Sequence, residues 1–147
     1  MRDEEYIVDL CDRVLGHQSR RQKRFDFLRG DSGRMLPVDA YYPALNLVIE
    51  YRERQHSGPH AFFDRRMTIS GITRGQQRQR YDQRRRERLR ENAIDLLELN
   101  VGDFPNRGMR RLNRTPDTDT QILRAKLSAY ICRGRTRAPA APCFTKP

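Results

Sequence analysis

Alternating apolar and polar residues in the first third of the chain predict three antiparallel strands. Phe25 and Phe27 alternate with polar neighbours and predict a short first strand over Arg24–Leu28. The glycine-containing segment 30–33 follows as a turn. In the segment 36–52, apolar residues recur at every second position on both sides of a proline. This pattern is typical of two strands joined by a tight loop.

The loop between these two strands sets a specific register. If residues 43–46 form it, Tyr42 pairs with Leu47, and the strands continue so that Asp39 lies opposite Glu50. Directly opposed residues hold their Cβ atoms about 4.5–5.5 Å apart on one face of a sheet. Two carboxylates at that distance repel each other, and a divalent cation with oxygen ligands would relieve the repulsion. The alternative is that both acids form ion pairs with neighbouring arginines.

A repeat of three to four residues predicts helices elsewhere. Residues 3–15 carry an apolar helical stripe, with Asp3 placed to cap the helix and Gly16 placed to end it. Residues 75–92 contain the longest charged run. We expect this run to form a helix that is polar over most of its circumference and stops at Asn92.

The rest of the chain predicts one more strand and one more helix. Apolar residues over Ile94–Leu99 predict a fourth strand, and the segment 104–117 has the composition of a loop. The sequence Thr118-Asp119-Thr120-Gln121 has the spacing of a capping box, which places a last helix at about 118–132. Residues 133–147 are rich in Arg, Ala and Pro, and we expect them to be disordered.

The order of these elements predicts the fold class. A helix, three antiparallel strands, a helix, a strand and a helix give a single α/β domain over residues 1–132, with a mixed central sheet. The fourth strand follows a helix, so we expect it to join the sheet parallel to the third strand.

The charge of the chain points to a polyanionic partner. The 147 residues carry a formal net charge of +11, with a sequence pI near 10.4. Such a surplus is most often a sign of nucleic-acid binding. A coding bias toward arginine is an alternative reason for the excess of arginine over lysine, but it does not produce the net charge. Few aromatic residues are available to stack on bases, so DNA is the favoured partner and RNA the less favoured one.

The cysteines and the hydrophobic runs exclude several classes of protein. Cys11, Cys132 and Cys143 are widely spaced and match neither a zinc motif nor a disulfide framework. No apolar run is long enough to cross a membrane, and the first residues do not resemble a signal peptide. The sequence therefore predicts a cytoplasmic protein with no membrane partner.

The motifs around the acidic pair resemble a known family. Asp39, the Tyr-Tyr-Pro turn after it and Leu47–Arg52 are similar to the core of the PD-(D/E)XK nuclease superfamily. The likeness is closest to the branch of the very-short-patch-repair endonucleases, in which a Gln-His pair follows the second acid. Here Gln55-His56 follows, and Tyr81-Asp82 with Arg85 continues the order on the next helix. The resemblance covers roughly residues 25–100.

This resemblance implies a three-layer restriction-endonuclease-like fold and metal-dependent hydrolysis of DNA phosphodiester bonds. It implies that Asp39, Glu50 and the backbone carbonyl of Tyr51 bind Mg²⁺ or Mn²⁺, and that His56 moves protons. Arg52 occupies the position of the usual lysine and, because it stays protonated, cannot be a general base. It would either hold the scissile phosphate or neutralise Glu50. A non-catalytic nucleic-acid-binding module that kept the fold is therefore an alternative.

Further residues complete the predicted site. The secondary candidates are Glu5 (or, as an equal alternative on the first helix, Glu4), Glu53, Gln55 and Tyr81. For both glutamates the simpler role is favoured, because an acid stabilises the start of a helix. The arginines of the basic helix and of the 104–117 segment are predicted to contact nucleic-acid phosphates: Arg78, Arg85, Arg107, Arg110, Arg111 and Arg114.

Overall fold

The computed structural model of the chain describes residues 1–53, 68 and 71–133. These residues form an α/β fold with a four-stranded sheet. In chain order the elements are α1 (Asp3–Leu15), β1 (Arg20–Arg29), β2 (Met35–Tyr42), β3 (Leu47–Arg52), α2 (Arg74–Glu91), β4 (Asp95–Asn100), β5 (Asn106–Arg107), β6 (Arg111–Leu112) and α3 (Pro116–Lys126). Residues 128–133 are also helical.

The sheet is mixed, as the sequence predicts. Its strand order is β1-β2-β3-β4, with β1–β2 and β2–β3 antiparallel and β3–β4 parallel. The predicted hairpin register is confirmed, because Tyr42 pairs with Leu47 and Ala40 with Ile49. A 3₁₀ turn followed by a left-handed Asn46 (φ 48°) closes the loop between the two strands.

Helices cover both faces of this sheet. On one face, α1 and α3 pack on a large apolar cluster that includes Ile7, Tyr42, Ile49 and Leu123. On the other face, α2 contributes Leu89 to a smaller cluster with Phe25, Leu28, Val38 and Val48. The helices and the sheet therefore lie in three layers. None of the helices in the described part of the chain is both long and apolar enough to span a membrane.

The helix α1 has the predicted limits but a different cap. Arg2 precedes the helix as the N-cap, and its backbone N–H donates to the side chain of Glu5 (2.9 Å). Asp3 is instead the first helical residue, and its carboxylate accepts hydrogen bonds from residues near β6. Gly16 ends the helix in the left-handed conformation (φ 68°), as glycine readily does.

Strand β1 begins at Arg20, four residues before the predicted start. Arg20 and Arg21 pair with Tyr41 and Ala40, although they lack the apolar alternation on which the prediction depended. Since β1 is an edge strand, its outer positions tolerate long charged side chains. Gln22 lies within the strand in a left-handed conformation (φ 53°).

The last helix also begins earlier than predicted, at Pro116 rather than Thr118. Proline suits the first turn of a helix, where its missing N–H leaves no bond unmade. Asp119 is buried, and its carboxylate accepts from the backbone N–H of Thr115. The capping box at Thr118–Gln121 is therefore wrong. The segment predicted as a loop contains the β5–β6 hairpin, and the predicted disordered tail lies almost wholly outside the described residues.

A partly buried hydrogen bond joins the sheet to α1. The Tyr42 hydroxyl donates to Oδ1 of Asp12 (2.6 Å), and the same oxygen accepts from the backbone N–H of Ser19 (3.2 Å). Tyr42 is fully buried, and burial raises the pKa of its hydroxyl. This bond ties the start of the β2–β3 turn to the helix beneath it.

Replacing Tyr42 with Phe should therefore lower the free energy of unfolding by about 1–3 kcal/mol, because the charged acceptor loses a buried partner. The measurement is urea denaturation followed by circular dichroism. Tyr41→Phe is the matched control, since no hydrogen bond from the Tyr41 hydroxyl occurs within the described residues. Equal destabilisation by the two variants would contradict the assignment.

Candidate functional site

An open cleft of about 530 Å³ lies at the end of β3, between the start of α1 and the middle of α2. It brings together five acidic and four basic side chains from α1 and its N-cap, α2, β2, β3 and the residue after β3. The acids are Glu4, Asp39, Glu50, Glu53 and Asp82, and the bases are Arg2, Arg52, Arg78 and Arg85. Their convergence makes this cleft the candidate functional site.

Asp39 and Glu50 lie side by side in the cleft, as the hairpin register requires. The paired residues of β2 and β3 end with Ala40 and Ile49. Beyond it, the backbone N–H of Tyr51 donates to Oδ2 of Asp39 (2.8 Å). This bond fixes the orientation of the Asp39 carboxylate toward the end of β3.

Glu50 is a buried carboxylate with incomplete pairing. It is 7% exposed, and burial together with the nearby Asp39 carboxylate raises its pKa to about 9, against the smaller opposing effect of Arg85 and Arg52. Its Oε1 lies 3.4 Å from Nε of Arg85, yet the two atoms are buried without forming a hydrogen bond. A buried carboxylate oxygen without a hydrogen bond is costly.

The carboxylates of Asp39 and Glu50 fit a hard divalent cation. Within residues 1–53, 68 and 71–133, no group of three or more His, Cys, Asp or Glu side chains has the geometry to hold a metal ion. An ion at this site would therefore take two carboxylates, with a backbone carbonyl and water completing its shell. Mg²⁺ commonly binds in this way, through one or two carboxylates and several waters.

A chain of ion pairs connects this site to the rest of α2 and to β4. Arg85 pairs with Asp82 (3.2 Å), and Asp82 pairs in turn with Arg52. Arg52 also contacts Glu98 (3.3 Å), which accepts a bidentate pair of hydrogen bonds from Arg86. Arg52 thus lies between Asp82 and Glu98, so its charge is shared with two acids other than Glu50.

Glu98 is a residue that the sequence interpretation missed. In the parallel register Glu50 is adjacent to Glu98, so Asp39, Glu50 and Glu98 form a row across three strands. The hydrogen bond from Arg86 lowers the pKa of Glu98. The only signal in the sequence was an acid inside an apolar strand. That Glu98 lies beside Glu50 becomes known only from the pairing of β4 with β3.

Of the two glutamates that the sequence offers on α1, Glu4 lines the cleft and Glu5 does not. Burial and the Asp39 carboxylate raise the pKa of Glu4, and the side chain of Gln22 donates to it (3.1 Å). Glu5 turns back to the backbone N–H of Arg2, which lowers its pKa. The two acids are one helical step apart, about 100° around the helix axis, so the sequence alone did not separate them.

The other secondary candidates fall in different places. Glu53 is exposed and borders the cleft. The Tyr81 hydroxyl instead accepts from the backbone N–H of Asp31 (2.9 Å) and packs against Gly30, where an added Cβ would lie 2.8 Å from it. Tyr81 therefore joins α2 to the β1–β2 turn and does not line the cleft. Gln55 and His56 lie outside the described residues.

The predicted phosphate-binding arginines divide into two groups. Arg78 and Arg85 line the cleft, although Arg85 is already engaged by Glu50 and Asp82. The second group lies on the β5–β6 hairpin and its flank, with Arg107, Arg110 and Arg111 exposed and Arg114 paired with Asp3 (2.8 Å).

Comparison with protein-family models, with curated proteins and with solved structures found no match. The nuclease resemblance therefore depends on the sequence motifs alone and stays a prediction.

The raised pKa of Glu50 gives a testable pH dependence. Between pH 4.5 and about pH 9 the folded protein keeps a proton on Glu50 that the unfolded chain has released. The free energy of unfolding should therefore fall as pH rises through this window, with a limiting slope of about 1.4 kcal/mol per pH unit. Glu50→Gln should flatten this dependence in urea denaturation with a chelator present. Glu87→Gln, on the exposed side of α2, is the control, and a Glu50→Gln profile as steep as the wild type would refute the prediction.

Proposed function

We propose that the chain is a divalent-metal-dependent endonuclease that hydrolyses DNA phosphodiester bonds in the Asp39/Glu50 cleft. One observation carries the proposal: the buried Glu50 carboxylate lies beside Asp39 with an oxygen that makes no hydrogen bond. Such an arrangement is stabilised by a cation, and Mg²⁺ and Mn²⁺ both accept this donor set. The sequence motifs resemble those of PD-(D/E)XK nucleases at the same two residues.

The roles of the residues follow from their positions. Asp39 and Glu50 would hold the ion, and the Tyr51 N–H keeps the Asp39 carboxylate in place. When bound, the ion supplies a polarised phosphate and a more acidic water. Arg2 and Arg78 line the same cleft and carry the planar guanidinium groups that bind phosphate oxygens. The role of His56 in proton transfer remains an expectation from the resemblance.

The arrangement of the sheet and helices is consistent with this proposal. A mixed sheet with helices on both faces is compatible with the three-layer fold of restriction endonucleases. The net charge of +11 favours a nucleic-acid substrate, with DNA ahead of RNA because few aromatic residues are available to stack on bases.

A non-catalytic nucleic-acid-binding module is the second candidate. It is favoured by Arg52, which pairs with Asp82 and Glu98 at the position of the usual lysine of the PD-(D/E)XK motif. Among the described residues that line the cleft there is no lysine. On this alternative the acids would balance the arginines of α2, and no bond would be cut.

Asp39→Asn and Glu50→Gln should each abolish metal-dependent cleavage. Loss of a group that holds the ion removes several kcal/mol of transition-state stabilisation, so we expect at least about a hundredfold lower rate of plasmid nicking in Mg²⁺ or Mn²⁺. Titration calorimetry with Mn²⁺ should show that both variants lose the ion that the wild type binds. Asp26→Asn is the control, because that carboxylate is 95% exposed on β1.

Two results would decide against the enzyme. Binding of duplex DNA without nicking in any divalent metal would favour the non-catalytic module. Tighter binding of structured RNA than of duplex DNA at the same salt concentration would favour an RNA-associated protein.

A further inference from the structure

A second cavity of about 660 Å³ adjoins the candidate site. The two cavities share Arg2 and Glu53 in their walls, so the groove continues from the Asp39/Glu50 cleft. The far wall of the second cavity includes Arg110 and Arg111, from the β5–β6 hairpin. A nucleic-acid strand that is bound at the cleft and continues along this groove would pass Arg110 and Arg111.

The hairpin is fixed to the start of α1. The backbone N–H of Leu112 donates to Oδ2 of Asp3 (2.9 Å), and Nε of Arg114 donates to Oδ1 of the same carboxylate (2.9 Å). Arg114 also donates to the backbone carbonyl of Met1 and lies over the ring of Tyr6. Arg114 is therefore used within the protein, and its role is to hold the hairpin rather than to bind phosphate.

The other arginines of the hairpin are not paired with any acid in the described part of the chain. The segment 104–116 contains four arginines and no acidic residue. Arg107, Arg110 and Arg111 are exposed, and no carboxylate within the described residues pairs with them. The acids of the second cavity are Asp3, which Arg114 neutralises, and Glu53 at its boundary. In contrast, the arginines that α2 directs toward the sheet are paired.

We propose that the β5–β6 hairpin binds the backbone phosphates that flank the one held at the Asp39/Glu50 cleft. Arg110 and Arg111 make the contacts, and Arg114 anchors the hairpin. This inference rests on the proposed function for the identity of the neighbouring phosphate. Since phosphate contacts carry no base information, the hairpin contributes affinity and salt dependence but no sequence preference.

The double variant R110Q/R111Q tests the hairpin. We expect at least about tenfold weaker binding of a fluorescent DNA duplex in EDTA. The slope of log affinity against log salt should be smaller by about 2, because two phosphate contacts are lost.

The control is R13Q/R124Q, which removes the same charge elsewhere. Arg13 is exposed in the last turn of α1, about 17 Å along the helix from Arg2. Arg124 is exposed on α3. An equal loss of affinity in both double variants would mean that only net charge matters, and would overturn the inference. Unchanged binding by R110Q/R111Q would do the same, as would a wild-type protein that does not bind the duplex.

The anchoring role of Arg114 has its own readout. R114Q should weaken DNA binding and also lower the melting temperature, whereas R110Q/R111Q should leave the melting temperature unchanged. Weaker binding by R114Q at an unchanged melting temperature would make Arg114 a direct contact. The proposed hydrolysis has a separate test, because the binding assay in EDTA does not depend on cleavage. If Asp39→Asn hydrolyses bis(p-nitrophenyl) phosphate at the wild-type rate, the proposed active site is wrong.

Discussion

The pairing of β2 with β3 is the constraint on which the rest of the structure depends. A shift of one residue would move Asp39 or Glu50 to the opposite face, because side chains alternate along a strand. The short turn after Tyr42 prevents such a shift, since it fixes Tyr42 opposite Leu47. Burial of Tyr42 against Asp12 then anchors the turn to α1. The same apolar contacts that form the core therefore also bring two carboxylates together.

Much of the arginine surplus is used inside the fold. Arg21 forms ion pairs with Asp9 and Asp12. Arg84 pairs with Asp31, and Arg86 pairs with Glu98. Pairs of this kind are partly exposed, and each contributes little to stability by itself. Their main effect is to occupy guanidinium groups, because a guanidinium that is paired with a carboxylate is less available to bind a phosphate. The net charge is therefore a poor measure of how many guanidinium groups are available, and the hairpin arginines that no described carboxylate pairs with matter more for the proposed phosphate binding.

The parts of the fold that were predictable are those with a clear local signal. The α1 limits follow from an apolar stripe and a terminal glycine, and the hairpin register follows from a four-residue turn between alternating strands. The start of β1 was missed because an edge strand rich in arginine has no alternation to detect. The site was only partly predictable: the acidic pair is local in sequence, whereas helix packing brings Glu4 to the cleft and parallel pairing makes Glu98 the neighbour of Glu50. No nearby residue signals either.

The attachment of α2 has a consequence for motion. Leu89, near the C-terminal end, is the one buried residue of this 18-residue helix, and apart from the Tyr81 contact the remaining contacts with the sheet are mostly ionic. High ionic strength weakens such contacts far more than it weakens apolar packing. Backbone amides in the first half of α2 should consequently exchange with solvent deuterium sooner than those of α1, whose five buried residues are spread along its length. The wall of the cleft that α2 forms would thus respond to salt while the sheet stays folded.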